Sequence, residues 1–204
     1  MREIQGQVLV EGREDRAALL EYDEGMVAVV ADGAGGTRGG AEAARGVIEA
    51  VRQMGWRRES EPWVELLGRL DHSLSPGQTT AVIVAVSATG LSGASVGDSE
   101  AWWWDGRAEQ ALTQAQRRKP LLGSGSALPV GFFLEARRAG QLVLGSDGLW
   151  KYVRWERLAE ALQHPPGEAA HQLVESVRYP SGALPDDVSV IVCRVGPGEP
   201  DGRP

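Results

Sequence analysis

Four carboxylates stand where strands should end. Residues 26–31 form an apolar run that stops at Asp32-Gly33, and residues 141–145 lead through Ser146 to Asp147-Gly148. Residues 93–97 stop at Asp98, and the pair Asp186-Asp187 precedes the run 188–193. Short apolar runs rich in valine read as buried strands, and Asp-Gly reads as a turn. Taken alone, Asp32-Gly33 is more simply a plain turn, because Asp-Gly is among the commonest turn dipeptides. Recurrence changes that reading, since acids at several strand ends can meet in the fold as one cluster of oxygen ligands. Hard divalent cations such as magnesium and manganese take that donor set.

The elements that must position these acids follow from periodicity. Glycines 33, 35 and 36 let the backbone bend and approach a ligand closely, and residues 39–45 look like a helix start. Residues 40–54 carry Ala44, Val47, Ile48 and Val51 at helical spacing, and residues 63–74 repeat the signal with Trp63, Leu66, Leu67, Leu70 and Leu74. Pro62 suits the first turn of that second helix, and Trp63 reads as core. Residues 75–77 form a turn into a β-branched strand over 78–86. Residues 91–96, 101–104 and 108–112 read as a meander of strands, with Asp105-Gly106 as a hairpin turn. Alternation along a strand puts Trp103 on the face opposite Trp102 and Trp104, so at least one tryptophan is expected near the surface or beneath a helix. Residues 155–162 and 167–177 read as amphipathic helices and 188–195 as a last strand, while 196–204 reads as a disordered Gly/Pro tail. Residues 8–10 and 17–20 are strand-like, and by themselves residues 11–16 between them would be a polar hairpin turn.

Composition narrows the function classes. A chain of 204 residues with 42% hydrophobic side chains can form a sizeable core, and a single domain over 1–195 is expected. A net charge of -7 is a poor match to nucleic acid, whose binding rests on basic patches. One cysteine rules out an internal disulfide framework, and Cys193 reads as a buried, inert thiol. The first five residues lack an apolar signal core and no run is long enough to span a bilayer, so a cytoplasmic monomer without membrane contact is expected. His72, His164 and His171 share no metal-ligand spacing. Arg117-Arg118-Lys119 is the one clear basic cluster, either a solvated loop or a patch that steers an anionic substrate.

In order along the chain, Asp32-Gly-Ala-Gly-Gly36, Gly77-Gln-Thr-Thr-Ala81, Gly97-Asp-Ser99, Ser146-Asp-Gly-Leu-Trp150 and Asp186-Asp-Val-Ser-Val190 resemble successive motifs of the metal-dependent serine/threonine protein phosphatases, the PPM or type 2C family. The resemblance spans roughly residues 8–195. It implies an α+β fold, a four-layer sandwich of two antiparallel β-sheets flanked by α-helices, with metals in a cleft at one end. It also implies two Mn2+ or Mg2+ ions. Asp32 would bridge both, the Gly33 carbonyl would contribute, and Asp147 and Asp186 would complete the first ion's shell. Glu14 and Asp15 match the family's acidic pair, which holds the metals directly or through water. Asp98 matches an aspartate used by members that bind a third ion. The strand holding Thr79 and Thr80 would support the cluster without chemistry of its own.

The departures are as specific as the matches. Val10 stands where the family usually has a phosphate-binding arginine, leaving Arg13 or Arg16 as substitutes. Ala34 replaces a histidine found in some members. Lys151 replaces an aspartate of the third-metal site, so a cation there weakens that site or contacts phosphate instead. The segment between Thr113 and Ser146 is short for the family's flap. The implied activity is hydrolysis of phosphoserine or phosphothreonine on a protein by a water held between two divalent cations. The alternative is a catalytically weak or inactive regulatory module that binds phosphoproteins on the same fold.

Overall fold

The computed structural model describes residues 2–34, 39–74, 76–136 and 138–198. Gly35 and Gly36 of the first motif, Ser75 of the expected turn and residues 199–204 of the expected tail lie outside the described residues. Ten strands form two antiparallel sheets. The first contains β1 (Arg2–Glu11), β6 (Glu100–Trp104), β7 (Glu109–Ala111), β9 (Gly140–Gly145) and β10 (Val188–Gly198), in the order β1-β10-β9-β6-β7. The second contains β2 (Arg16–Tyr22), β3 (Gly25–Ala31), β4 (Ala81–Ser87), β5 (Gly90–Val96) and β8 (Val130–Glu135), in the order β2-β3-β4-β5-β8.

Near-continuous apolar runs arise because the central strands are covered on both faces. On β3, Met26, Ala28 and Val30 meet Leu142, Leu144 and Ile191 of the other sheet, whereas Val27, Val29 and Ala31 face helices. Helices α1 (Gly40–Met54) and α2 (Glu61–Ser73) supply that outer layer through Val47, Val51, Trp63 and Leu67. On the opposite side, α3 (Asp147–Trp150), α4 (Trp155–Ala161) and α5 (Pro166–Ser176) cover Val143, Val190 and Val192 with Leu149, Leu158 and Leu173. The result is the expected helix–sheet–sheet–helix stack. Among the described residues no helix is long and apolar enough to cross a membrane.

Three local expectations are corrected. Residues 11–16 do not close a hairpin, because β1 and β2 belong to different sheets and the turn carries the chain from one to the other. The meander is likewise split: β5 pairs in the second sheet and β6 in the first, so Gly97-Asp98-Ser99 is a second crossing point. Within that stretch the hairpin is β6 with β7, and Asp105 accepts hydrogen bonds from the Arg107 and Ala108 amides (2.9 and 3.0 Å). Residues 196–198 continue β10 rather than starting a disordered tail. Alternation of the tryptophans holds, with Trp103 buried between the sheets and Trp102 and Trp104 half-buried.

One buried acid outside the strand ends fixes a loop at the cleft. Asp71, on the inner face of α2, accepts the Gly123, Ser124 and Gly125 amides at Oδ1 (2.9, 3.1 and 3.1 Å) and the Ala127 amide at Oδ2 (2.9 Å). That loop ends beside Leu122, whose backbone pairs with Thr79 (3.0 and 3.1 Å). Asp71→Ala would strand four amides in a part-buried site. It should lower stability by about 3 kcal/mol in urea unfolding, with Asp71→Asn recovering part of the loss.

Candidate metal centre

The crossings at residues 12–15 and 97–99, and the ends of β3, β9 and β10, open on one cleft of about 540 Å³. Glu14, Asp32, Asp98, Asp147, Asp186 and Asp187 all line it. Gly33 and Arg13 line it as well, while Asp15 lies fully buried beneath. Arg16 does not reach the cleft; its guanidinium is bonded to the Arg13 and Asp15 carbonyls (2.9 and 2.5 Å) and braces the turn.

Asp32 is held by its own backbone. Its amide donates to Thr80 Oγ1 (3.0 Å), and its carbonyl accepts from the Thr80 amide (2.9 Å) and Thr79 Oγ1 (2.8 Å). Thr80 Oγ1 is in turn 2.6 Å from Ser99 Oγ, which ties Asp32 to the Asp98 crossing. A Cβ at Gly33 would collide with the backbone of Gly40 and Ala41, so glycine is what lets the start of α1 close over this segment.

The other acids are tied together by Ser146 and Asp187. The Ser146 amide donates to the Ser189 carbonyl (3.1 Å) and its Oγ accepts from the Ser189 amide (2.9 Å), joining the Asp147 and Asp186 segments. Asp187 Oδ2 accepts the amides of Arg13 and Glu14 (2.6 and 2.7 Å) and so clamps the turn that presents Glu14 and Asp15. Gly12, at φ +143°, makes room, since a side chain there would overlap the Asp187 carboxyl. The clamping role of Asp187 was not foreseen. Its only sequence signal is the doubled acid before β10, which does not say which of the two turns inward.

The electrostatics are those of acids forced together. Burial first, then the neighbouring charges of Asp15 and Asp147, push the Asp32 carboxyl up to about 9. Burial likewise pushes Asp15 up to about 6, with Ser146, Asp32 and Ser189 near enough to temper the rise. Neither Asp15 oxygen receives a hydrogen bond from an N–H or hydroxyl group. A buried carboxylate with no donor, facing a second one, needs a proton or a cation. Oxygen donors from carboxylates and the Gly33 carbonyl fit a hard divalent ion.

The outer acids hold cations already present in the chain. Asp147 pairs with Lys151, whose Nζ lies 3.9 Å from Asp186, and Asp98 accepts from Arg118 (2.9 and 3.3 Å). With those side chains so directed, no three acidic, histidine or cysteine side chains among the described residues enclose a common point at ligand distance.

Residues 22–196 match the family described as stage II sporulation protein E, SpoIIE. The chain belongs to that family. SpoIIE is a PPM-type phosphatase family, so the resemblance carried by the five motifs holds. Among solved structures, the SpoIIE-family chain is similar to a bacterial serine phosphatase, at TM-score 0.80 and 18% identity over 97% of this chain and 100% of that one. It is also similar to the catalytic domain of the serine/threonine phosphatase PstP in complex with two manganese ions (TM-score 0.77, 21% identity, 97% and 100% covered). A third is the phosphatase Stp1 of Staphylococcus aureus (TM-score 0.78, 18% identity, 97% and 96% covered). No curated protein matches the sequence. At such identities the likeness is one of fold, and family and fold are together those of metal-dependent serine/threonine phosphatases.

The raised acids make stability depend on pH in an unusual sense. Asp15 and Asp32 bind protons more tightly in the folded SpoIIE-family domain than in the unfolded chain, whose carboxyls titrate near 4. Their contribution is therefore intact below that range and is lost as pH rises through about 6 for Asp15 and about 9 for Asp32. In chelator, the unfolding temperature should fall between pH 5 and 9, and Asp32→Asn should flatten the fall. Added manganese should stabilise more at pH 9 than at pH 5, because the cation then takes a place that no proton holds.

Proposed function

We propose that this protein is a metal-dependent phosphatase that removes phosphate from serine or threonine of a protein substrate, with Asp32, Asp147 and Asp186 as its essential acids. The observation that carries the reading is the packing of buried Asp15 against half-buried Asp32 at the floor of an acidic cleft that basic side chains also line. Divalent cations bound there would supply the Lewis acidity that turns water into a nucleophile and neutralises phosphate oxygens. Asp32, with the Gly33 carbonyl, would be shared between two manganese or magnesium ions. Asp147 and Asp186 would add donors from the opposite sheet, and Glu14 would add one from the turn that Asp187 clamps.

The remaining residues act on position and charge. Thr79, Thr80 and Ser99 keep the Asp32 segment rigid, so its carboxylate need not be ordered when substrate arrives. Arg13, Arg118 and Lys119 line the same cleft and offer donors to an anionic phosphoryl group. Arg13 is the substitute for the missing arginine at Val10 that this arrangement favours. Lys151 occupies Asp147, so Asp98 is a poor anchor for a third ion. The regulatory alternative draws on the same observation, because a resident ammonium competes for a ligand that catalysis needs.

Hydrolysis of a phosphothreonine peptide after chelation and re-addition of manganese tests the reading. Turnover should depend on metal and drop by about a thousandfold or more in Asp32→Ala, since several kcal/mol of transition-state stabilisation go with the ions. Manganese binding without phosphate release would give the regulatory module instead. A separate titration addresses Lys151, whose pairing is partly exposed: by calorimetry, Lys151→Met should bind manganese about two- to fivefold more tightly than the parent protein. Unchanged affinity would show that the ammonium leaves Asp147 at no cost.

A further inference from the structure

A second groove of about 560 Å³ adjoins the acidic cleft and shares Asp98, Arg118 and Asp147 with it. Its outer wall is aromatic. Trp102 and Trp150 line it with ring centroids 6.2 Å apart, and Trp155 meets Trp102 edge-on at 4.7 Å. Both lining indoles are fixed through their N–H groups: Trp102 donates to Glu100 Oε2 (2.8 Å) and Trp150 to the Gly145 carbonyl (3.0 Å). Trp155 is 47% exposed and Tyr152, close by in sequence, is 42% exposed, so this side of the molecule presents aromatic surface beside a charged cleft.

Beside the aromatic wall the groove offers acceptors. Glu100 places a carboxylate at the edge of the Trp102 ring. Gln116 spends its amide nitrogen on the Ser99 carbonyl (2.8 Å), and its Oε1 receives no donor. The two cations, Arg118 and Lys151, stand on the side shared with the cleft and are paired with Asp98 and Asp147. Charge therefore runs from a basic rim, suited to phosphate, to an acidic aromatic end. A rigid indole face beside a carboxylate recognises a planar cation, because a guanidinium can stack on the ring while its N–H fork meets the acid.

We propose that this groove is a substrate subsite that receives an arginine side chain flanking the phosphorylated residue, stacked on Trp102 and paired with Glu100. The assignment rests on the phosphatase reading above and adds a substrate class to it, basic phosphoproteins. A peptide with an acid at the same position meets Glu100 as a like charge. Leucine at that position would gain contact with the indole but leave the Glu100 charge with only the Trp102 N–H as its donor.

Phosphoserine peptides that differ at one flanking position test it, with arginine, leucine or glutamate scanned from the third residue before the phosphoserine to the third after. At one position arginine should exceed leucine about tenfold in kcat/KM, chiefly through KM, the size of one cation–π contact joined to one carboxylate. Glutamate should be the poorest. In Glu100→Gln and in Trp102→Leu the arginine-to-leucine ratio should fall towards one. The ratio is taken within each variant, so loss of folded protein cancels. A ratio near one in the parent, or one untouched by Glu100→Gln, overturns the subsite. Turnover of p-nitrophenyl phosphate, which has no flanking residues, tells the two failures apart. If that ester is not hydrolysed with manganese, the phosphatase reading falls, and the same ratio is then read from peptide binding by tryptophan fluorescence, where equal affinities overturn the subsite as well.

Discussion

Two carboxyl groups packed against each other at the cleft floor govern the rest of this structure. Asp15 is fully buried and Asp32 half-buried, and among the described residues no basic side chain is paired with either. Water would ordinarily solvate both, and removing it makes the second charge far more costly than the first. The fold accepts this cost at one point only and surrounds it with fixed backbone. Thr79 and Thr80 hold the carbonyl and amide of Asp32, while Asp187 holds the amides just before Asp15. A site so braced cannot spread its acids apart to relieve repulsion. Relief must come from a proton or from a cation.

The sheet topology explains how acids far apart in the chain reach one place. Two of the crossings between sheets deliver acids: the one before β2 brings Glu14 and Asp15, and the one between β5 and β6 brings Asp98. The end of β3 brings Asp32 from the second sheet, and β9 and β10 bring Asp147 and Asp186 from the first. Hydrogen bonds then fix the acids at this end, Ser146 to Ser189 between neighbouring strands and Asp187 to the turn before β2. Asp15 directly precedes β2 and Asp32 directly follows β3, and the register Arg16↔Ala31 sets the two side by side at one end of the second sheet. The β2–β3 pairing is the device that builds the pair.

The four acidic strand ends were legible because each follows or precedes an apolar run, and their order along the chain carried the family resemblance. Helices α1, α2, α4 and α5 were legible to within two residues, since each buries one face, whereas the single turn of α3 was not. What was hidden depends on partners far away in sequence. Asp71 reads as one more polar residue on α2, yet it organises a loop about fifty residues later. Asp187 is indistinguishable from Asp186 until their side chains are seen to point to different partners. The split between β5 and β6 was hidden for a related reason: strand propensity says nothing about which sheet a strand joins.

The inner and outer acids differ in what holds them, and that difference orders their response to a cation. Asp98 and Asp147 are partnered by side chains that remain largely in water, Arg118 at 72% exposure and Lys151 at 43%. Ion pairs of that kind are weak, because solvent screens them and long side chains lose freedom in forming them. They therefore give way to any stronger cation at small cost. Asp15 and Asp32 have no such partner to lose, and their charge is screened by protein rather than by water. A divalent ion in the cleft would compete with weakly held cations at the rim and meet carboxylate oxygens without a basic partner at the floor. Rim groups freed in that exchange would be available to an anionic ligand of the same cleft, so the two binding events would favour each other.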